Sequence, residues 1–112
     1  MKPYRYFGIE CAQGWKDLVQ PLFELCDKHN VEVLQVKEKF GGLRFYVGGA
    51  PDEVYDAIRK AEDLSLTICM ICGAPGKPRG GGWILTLCDN HYKEEVDAGR
   101  RNPTLSRSEP KP

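Results

Sequence analysis

Among the 112 residues there is no apolar run approaching the roughly 18 needed to cross a bilayer. The opening stretch Met1-Lys2-Pro3-Tyr4-Arg5-Tyr6-Phe7 also lacks the apolar segment of a secretory leader. Together these absences predict a cytoplasmic protein with no membrane role. Net charge is missing too: 16 basic and 16 acidic side chains cancel. No global field therefore draws the chain onto nucleic acid, and any such role must rest on a local patch. Histidine is scarce, with only 2 in the chain. We find no Gly-rich nucleotide fingerprint, nucleophile elbow or carboxylate cluster of metal-site type. What remains is a globular composition, 41% hydrophobic and 29% charged, sized for one domain or a small domain with a metal-pinned lobe.

Periodicity predicts an α+β arrangement. From Gly14 to Asn30, Trp15, Leu18, Val19, Leu22 and Cys26 share one helical face. Pro21 interrupts the run, which predicts a kink between Asp17 and Pro21 or two short helices meeting there. Two β-rich runs, 31–40 and 43–47, flank Gly41-Gly42, the signature of a tight hairpin with both turn residues at positive φ. Counting outward pairs Phe40 with Leu43, Lys39 with Arg44 and Val36 with Val47, and puts Leu34, Val36, Phe40, Leu43, Phe45 and Val47 on the core face. Pro51 at the first helical position, followed by Asp52 and Glu53, opens a second helix whose stripe is Val54, Ala57, Ile58, Ala61 and Leu64. Tyr4–Ile9 is a possible edge strand. Residues 1–66 thus read as an α-β-β-α lobe, 67–98 as a second unit, and 99–112, rich in proline and polar groups, as a flexible tail.

The strongest signal lies in the second unit. Cys69-Met-Ile-Cys72-Gly73 is followed by Cys88-Asp-Asn-His91. Cysteines this close in a turn can point at one ion, and a second such pair completes a tetrahedral shell of three sulfurs and one imidazole, which suits Zn2+. Ordinary buried cysteines beside a surface histidine would have to acquire ligand spacing twice by accident. Trp83–Leu87 reads as a strand and Asp89–Ala98 as a helix carrying Cys88 and His91 at its start. A knuckle, a hairpin and a helix whose start supplies the last ligands resemble a treble-clef zinc finger. Four protein ligands predict a structural ion that leaves no open position. Cys26, on the first helix's stripe, reads as packing, and Cys11 stays unassigned.

Candidate partner-binding groups are weaker signals. The hairpin face opposite the core gathers Lys37, Lys39, Arg44 and Tyr46, and the glycine-rich loop 74–82 carries Lys77 and Arg79. Either could meet an acidic partner, or the charges could be a solvated face and the loop a flexible connector. Trp83 either packs beside the metal or stands out as an anchor. With His91 given to zinc and His29 closing the first helix, no histidine is left over as a general base.

Lys37-Glu-Lys-Phe-Gly-Gly-Leu-Arg-Phe-Tyr-Val47, Cys69-x-x-Cys-Gly-Ala-Pro-Gly76 and Gly82-Trp-Ile-Leu-Thr-Leu-Cys-Asp-Asn-His91 together resemble a group of small bacteriophage and prophage proteins. The resemblance implies a zinc-binding fold and a phage origin, with no activity to carry over. Asp89-Asn90-His91 also looks like part of an HNH nuclease, but lacks a catalytic histidine ahead of the helix. The expectation is a non-enzymatic module binding a host protein, with nucleic acid as the alternative partner and a nuclease as the last.

Overall fold

The computed structural model describes residues 10–80 and 83–101, with side chains from residue 13 on, in the order helix, strand, strand, helix, strand, strand, helix. The expected edge strand Tyr4–Ile9, the Cys11 side chain and residues 102–112 lie outside the described set. A 3-10 helix, Glu10–Trp15, leads directly into α1, Lys16–Lys28. The break between helical pieces therefore falls at Trp15, and the α-helix runs on through Pro21. That proline is exposed in the second turn, so its ring displaces nothing in the core. Val19, Leu22, Phe23 and Cys26 are buried, and burial pushes the Cys26 thiol up from its ordinary value.

Strands β1, Val33–Lys39, and β2, Gly42–Val47, form the expected antiparallel hairpin, but its register differs from the count above. Lys39 faces Gly42, Lys37 faces Arg44 and Val36 faces Phe45. The turn residues are Phe40 and Gly41, with φ of 54° and 82°. Gly41 is gripped from two sides. Its N–H donates to Glu38 Oε2 at 2.7 Å, and its carbonyl accepts from the Thr86 hydroxyl at 2.7 Å. These bonds need Gly41 at the second turn position, so they hold Phe40 in a left-handed conformation that a non-glycine residue adopts only when its surroundings compel it.

Each strand slides by one residue in opposite senses, which preserves the faces. Val36, Leu43 and Phe45 stay in the core. Phe40 leaves it for the tip, and a bulge between Val33 and Gln35 turns Leu34 outward, leaving Phe40 68% and Leu34 54% exposed. Helix α2, Asp52–Ser65, follows with Pro51 as its extended cap rather than its first residue. It packs on both α1 and β2, burying Val54, Ile58, Ala61 and Ser65, while Leu64 is exposed. Two of its side chains reach the sheet: Ser65 Oγ accepts the Leu43 N–H at 2.9 Å and Glu62 Oε2 accepts that of Phe45 at 3.0 Å.

The chain then turns into a treble-clef-like lobe: the knuckle 69–73, the short hairpin of β3, Lys77–Arg79, and β4, Leu85–Leu87, and helix α3, Asp89–Asp97. The glycine-rich connector is thus partly a strand, and the strand expected from Trp83 begins only at Leu85. One apolar cluster runs from Trp15 to Leu87 and Cys88 across both lobes.

Candidate metal centre

The knuckle is built by backbone. Gly73, at φ 86°, turns the chain so that its N–H donates to the Cys69 carbonyl at 2.9 Å, and the Cys69 N–H donates to the Ala74 carbonyl at 2.7 Å. Gly14 packs onto this loop: its N–H donates to the Met70 carbonyl at 2.8 Å, and a Cβ there would lie 2.0 Å from the Cys69 oxygen. Next to it the Trp15 indole N–H donates to the Ile68 carbonyl at 2.9 Å. The other pair sits at the start of α3. Cys88 is the N-cap, its sulfur accepting the His91 N–H at 3.5 Å, which brings His91 round to the same side.

Cys69, Cys72, Cys88 and His91 converge, their ligand atoms all within 4.8 Å of one another. The spacing suits zinc. Tetrahedral bonds of about 2.3 Å to sulfur and about 2.0 Å to nitrogen set sulfurs about 3.8 Å apart and sulfur about 3.5 Å from nitrogen. Here Cys72 Sγ is 3.8 Å from Cys88 Sγ, and His91 Nδ1 lies 3.6 Å from Cys69 Sγ and 3.3 Å from Cys88 Sγ. The four groups also shift one another's protonation: against a backbone hydrogen bond from Ala74, the sulfurs of Cys69 and Cys88 raise the Cys72 thiol. Burial opposes the Cys69 thiolate, but hydrogen bonds from the backbone of Cys88, Cys72 and Ile71, with one from the Cys72 thiol, draw it down to about 6. The Cys88 sulfur raises His91 above its usual range, against some desolvation. A divalent ion bound here takes the place of protons on its thiol and imidazole ligands. Zn2+ held by these four side chains has a filled shell and acts as a cross-link between knuckle and helix.

Two buried arginines brace the lobe. Arg79 was expected on a partner-binding loop, and it is 8% exposed. Its Nε–H donates to the Leu87 carbonyl at 3.1 Å, its terminal nitrogen meets Asp89 Oδ1 at 2.7 Å, and its guanidinium lies 4.5 Å from the Tyr92 ring centroid. The β3–β4 pairing turns it inward, where it ties the strand before the ligands to the helix after them. The guanidinium holds the Asp89 carboxyl below its ordinary value. Arg101, in the segment expected to fray, is 5% exposed. It donates to the carbonyls of Arg79, Gly80 and Trp83 and pairs with Glu95. Folded chain therefore extends at least to residue 101.

The remaining sequence-predicted residues lie apart from the metal. Lys37, Lys39, Arg44 and Tyr46 share the outward face of the β1–β2 hairpin, and Lys77 is exposed on β3. Among the described residues, Lys37, Lys39, Arg44 and Lys77 have no carboxylate within ion-pair distance. Trp83 does not pack beside the ion. It is 76% exposed and, with Glu38, Lys39, Phe40 and Ile84, lines a groove of about 370 Å³ between the two hairpins. Sequence reasoning missed Gly14, Thr86 and Arg101. Only the glycine before Trp15 carried any signal, as a point where backbones approach closely. Comparison with family models, with curated proteins and with solved structures returns no match.

Proposed function

We propose that this protein is a non-enzymatic, zinc-braced module that binds another protein through the groove between its two hairpins. The observation that carries this reading is the cluster of Phe40, Trp83 and Ile84, large apolar side chains held exposed around one concavity. Aromatic anchors of this kind dominate protein interfaces, and a left-handed Phe40 is a conformation the fold sustains at some expense. The closed ligand set supports a scaffolding ion. The resemblance of the 37–47 block and the cysteine blocks to small phage and prophage proteins supports a host protein as the partner and the host cytoplasm as its location. The test is affinity capture from a bacterial lysate with wild-type protein and with Phe40→Ala/Trp83→Ala, each with nuclease treatment. We expect a stoichiometric protein partner that survives nuclease and is lost from the double variant. Capture that nuclease abolishes overturns the reading.

One observation favours nucleic acid as a second reading: Lys37, Lys39 and Arg44 lie on one face without carboxylate partners. Phosphate contacts would make binding fall steeply with salt, whereas an apolar groove responds little.

A further inference from the structure

The two edges of the β1–β2 sheet are not equivalent. Leu43 and Phe45 on β2 point their N–H groups away from β1, and α2 satisfies both through Ser65 and Glu62. That edge is closed. In an antiparallel pair, residues facing one another across the ladder turn their backbone groups the same way, inward or outward. The partners of Leu43 and Phe45, namely Glu38 and Val36, therefore present their N–H and C=O groups on the outer edge of β1. Among the described residues no strand pairs with that edge, and neither residue's backbone makes a hydrogen bond there. Open edges of this kind are templates for another strand.

We propose that the outer edge of β1 is a strand-addition site for an extended segment of a partner protein that alternates apolar and acidic residues. This rests on the protein-binding reading above and specifies its ligand. A strand laid along β1 sends alternate side chains to opposite faces. One set lies over Lys37 and Lys39, with Arg44 across the ladder from Lys37, where carboxylates relieve like charges that face one another. The other set runs toward Glu38 and into the groove of Phe40, Trp83 and Ile84, where apolar residues fit. Charge selects this occupant over the alternatives on the same chain. Residues 1–9 contain Lys2 and Arg5 and no carboxylate, and residues 102–112 contain three prolines. A second copy of β1 would set lysine against lysine.

The test uses the full-length zinc protein and a short fluorescein-labelled peptide alternating valine and glutamate, read by fluorescence polarisation. Two control peptides accompany it: one N-methylated at alternate residues, which cannot complete a ladder, and one with lysine in place of glutamate. We expect the acidic peptide to bind, N-methylation to abolish binding, and the lysine peptide not to bind. Lys37→Glu/Arg44→Glu, two exposed-face changes, should weaken binding by about tenfold or more. Glu38→Pro removes an outward N–H from the edge and should abolish binding. Near-UV circular dichroism and zinc content identify any variant that fails to fold, in which case the charge-reversal pair alone decides. Equal binding of the N-methylated peptide overturns strand addition and leaves the protein-binding reading standing. Failure of every peptide, with Trp83-dependent capture of a protein intact, does the same. Binding of a DNA oligonucleotide in place of the acidic peptide overturns both, and sedimentation showing dimers through β1 assigns the edge to a second copy instead.

Discussion

The two lobes bury different chemistry. Between α1, the first hairpin and α2 the interior is mostly hydrocarbon, Val19, Leu22, Phe23, Val36, Phe45, Val54 and Ile58 among it, with Ser65 as its buried polar side chain and the Phe23 and Phe45 rings edge to face at 5.5 Å. Around the metal centre the interior includes Cys69, Cys88, Thr86, Arg79 and Arg101, with Met70 and Leu87 the ordinary core residues. Helix α3 is 9 residues long and buries none of them. A helix that short does not persist on its own in water, and packing does not supply what it lacks. The difference teaches that the second lobe takes its order from coordination and directed hydrogen bonds, whereas the first takes it from area removed from water.

Removing zinc is the harshest way to break that contrast. Coordination of this kind contributes on the order of 10 kcal/mol to folding. Chelation, or Cys88→Ala, is expected to strip amide protection from β4 and α3 while α1 and α2 keep theirs, as measured by hydrogen exchange. Protons compete for the same thiols and imidazole, so zinc affinity must fall as pH falls. If α1 and α2 lose protection at the same chelator concentration as α3, the two lobes are one energetic unit. The reciprocal experiment is Phe45→Ala. Truncating a buried phenylalanine costs about 3–5 kcal/mol, visible as a lower urea midpoint, and the folded fraction should still hold one zinc. Loss of zinc from folded protein would show that the apolar lobe shapes the metal site.

The same contrast explains what could be read in advance. Ligand spacing is local, so Cys69, Cys72, Cys88 and His91 were legible as a zinc set, and strand alternation placed Val36, Leu43 and Phe45 inside. The turn was not, because local turn chemistry favours Gly41-Gly42, whereas the observed Phe40-Gly41 turn puts a phenylalanine at φ 54°. Thr86, 45 residues further along, distinguishes them through its bond to the Gly41 carbonyl. Arg79 and Arg101 were equally opaque. A guanidinium is surface by composition, and only the folded positions of the Leu87, Gly80 and Trp83 carbonyls give it somewhere buried to donate.

Arg101 sharpens the point, since it is the buried charge that organises the loop bearing Trp83. Arg101→Ala removes donors from the Arg79, Gly80 and Trp83 carbonyls and leaves Glu95 with Arg100. A loss of about 3 kcal/mol is expected, because breaking a buried charged network leaves groups uncompensated. Lys93→Ala, which breaks the exposed pair with Asp97 on the same lobe, should leave the urea midpoint unchanged. Equal effects from the two would mean that burial is not what gives the arginine its weight.

A loss smaller than that of Arg101→Ala addresses the seam. Thr86→Val keeps volume and deletes one hydroxyl, leaving the Gly41 carbonyl without its buried donor, a loss of about 1–2 kcal/mol. The loss should fall on both lobes, since the bond joins β4 to the tip of the first hairpin. Its decisive readout is conformational. Without Thr86 the turn loses the tertiary grip that holds Phe40 outward, although the Glu38 carboxylate still receives the Gly41 N–H. The Phe40 ring resonances should then broaden while those of Phe45 stay sharp. If Phe40 is unaffected, the hairpin sets its own turn, and the lobes are coupled through the apolar cluster around Trp15 and Leu87 and the bonds from Gly14 and Trp15 to the Met70 and Ile68 carbonyls.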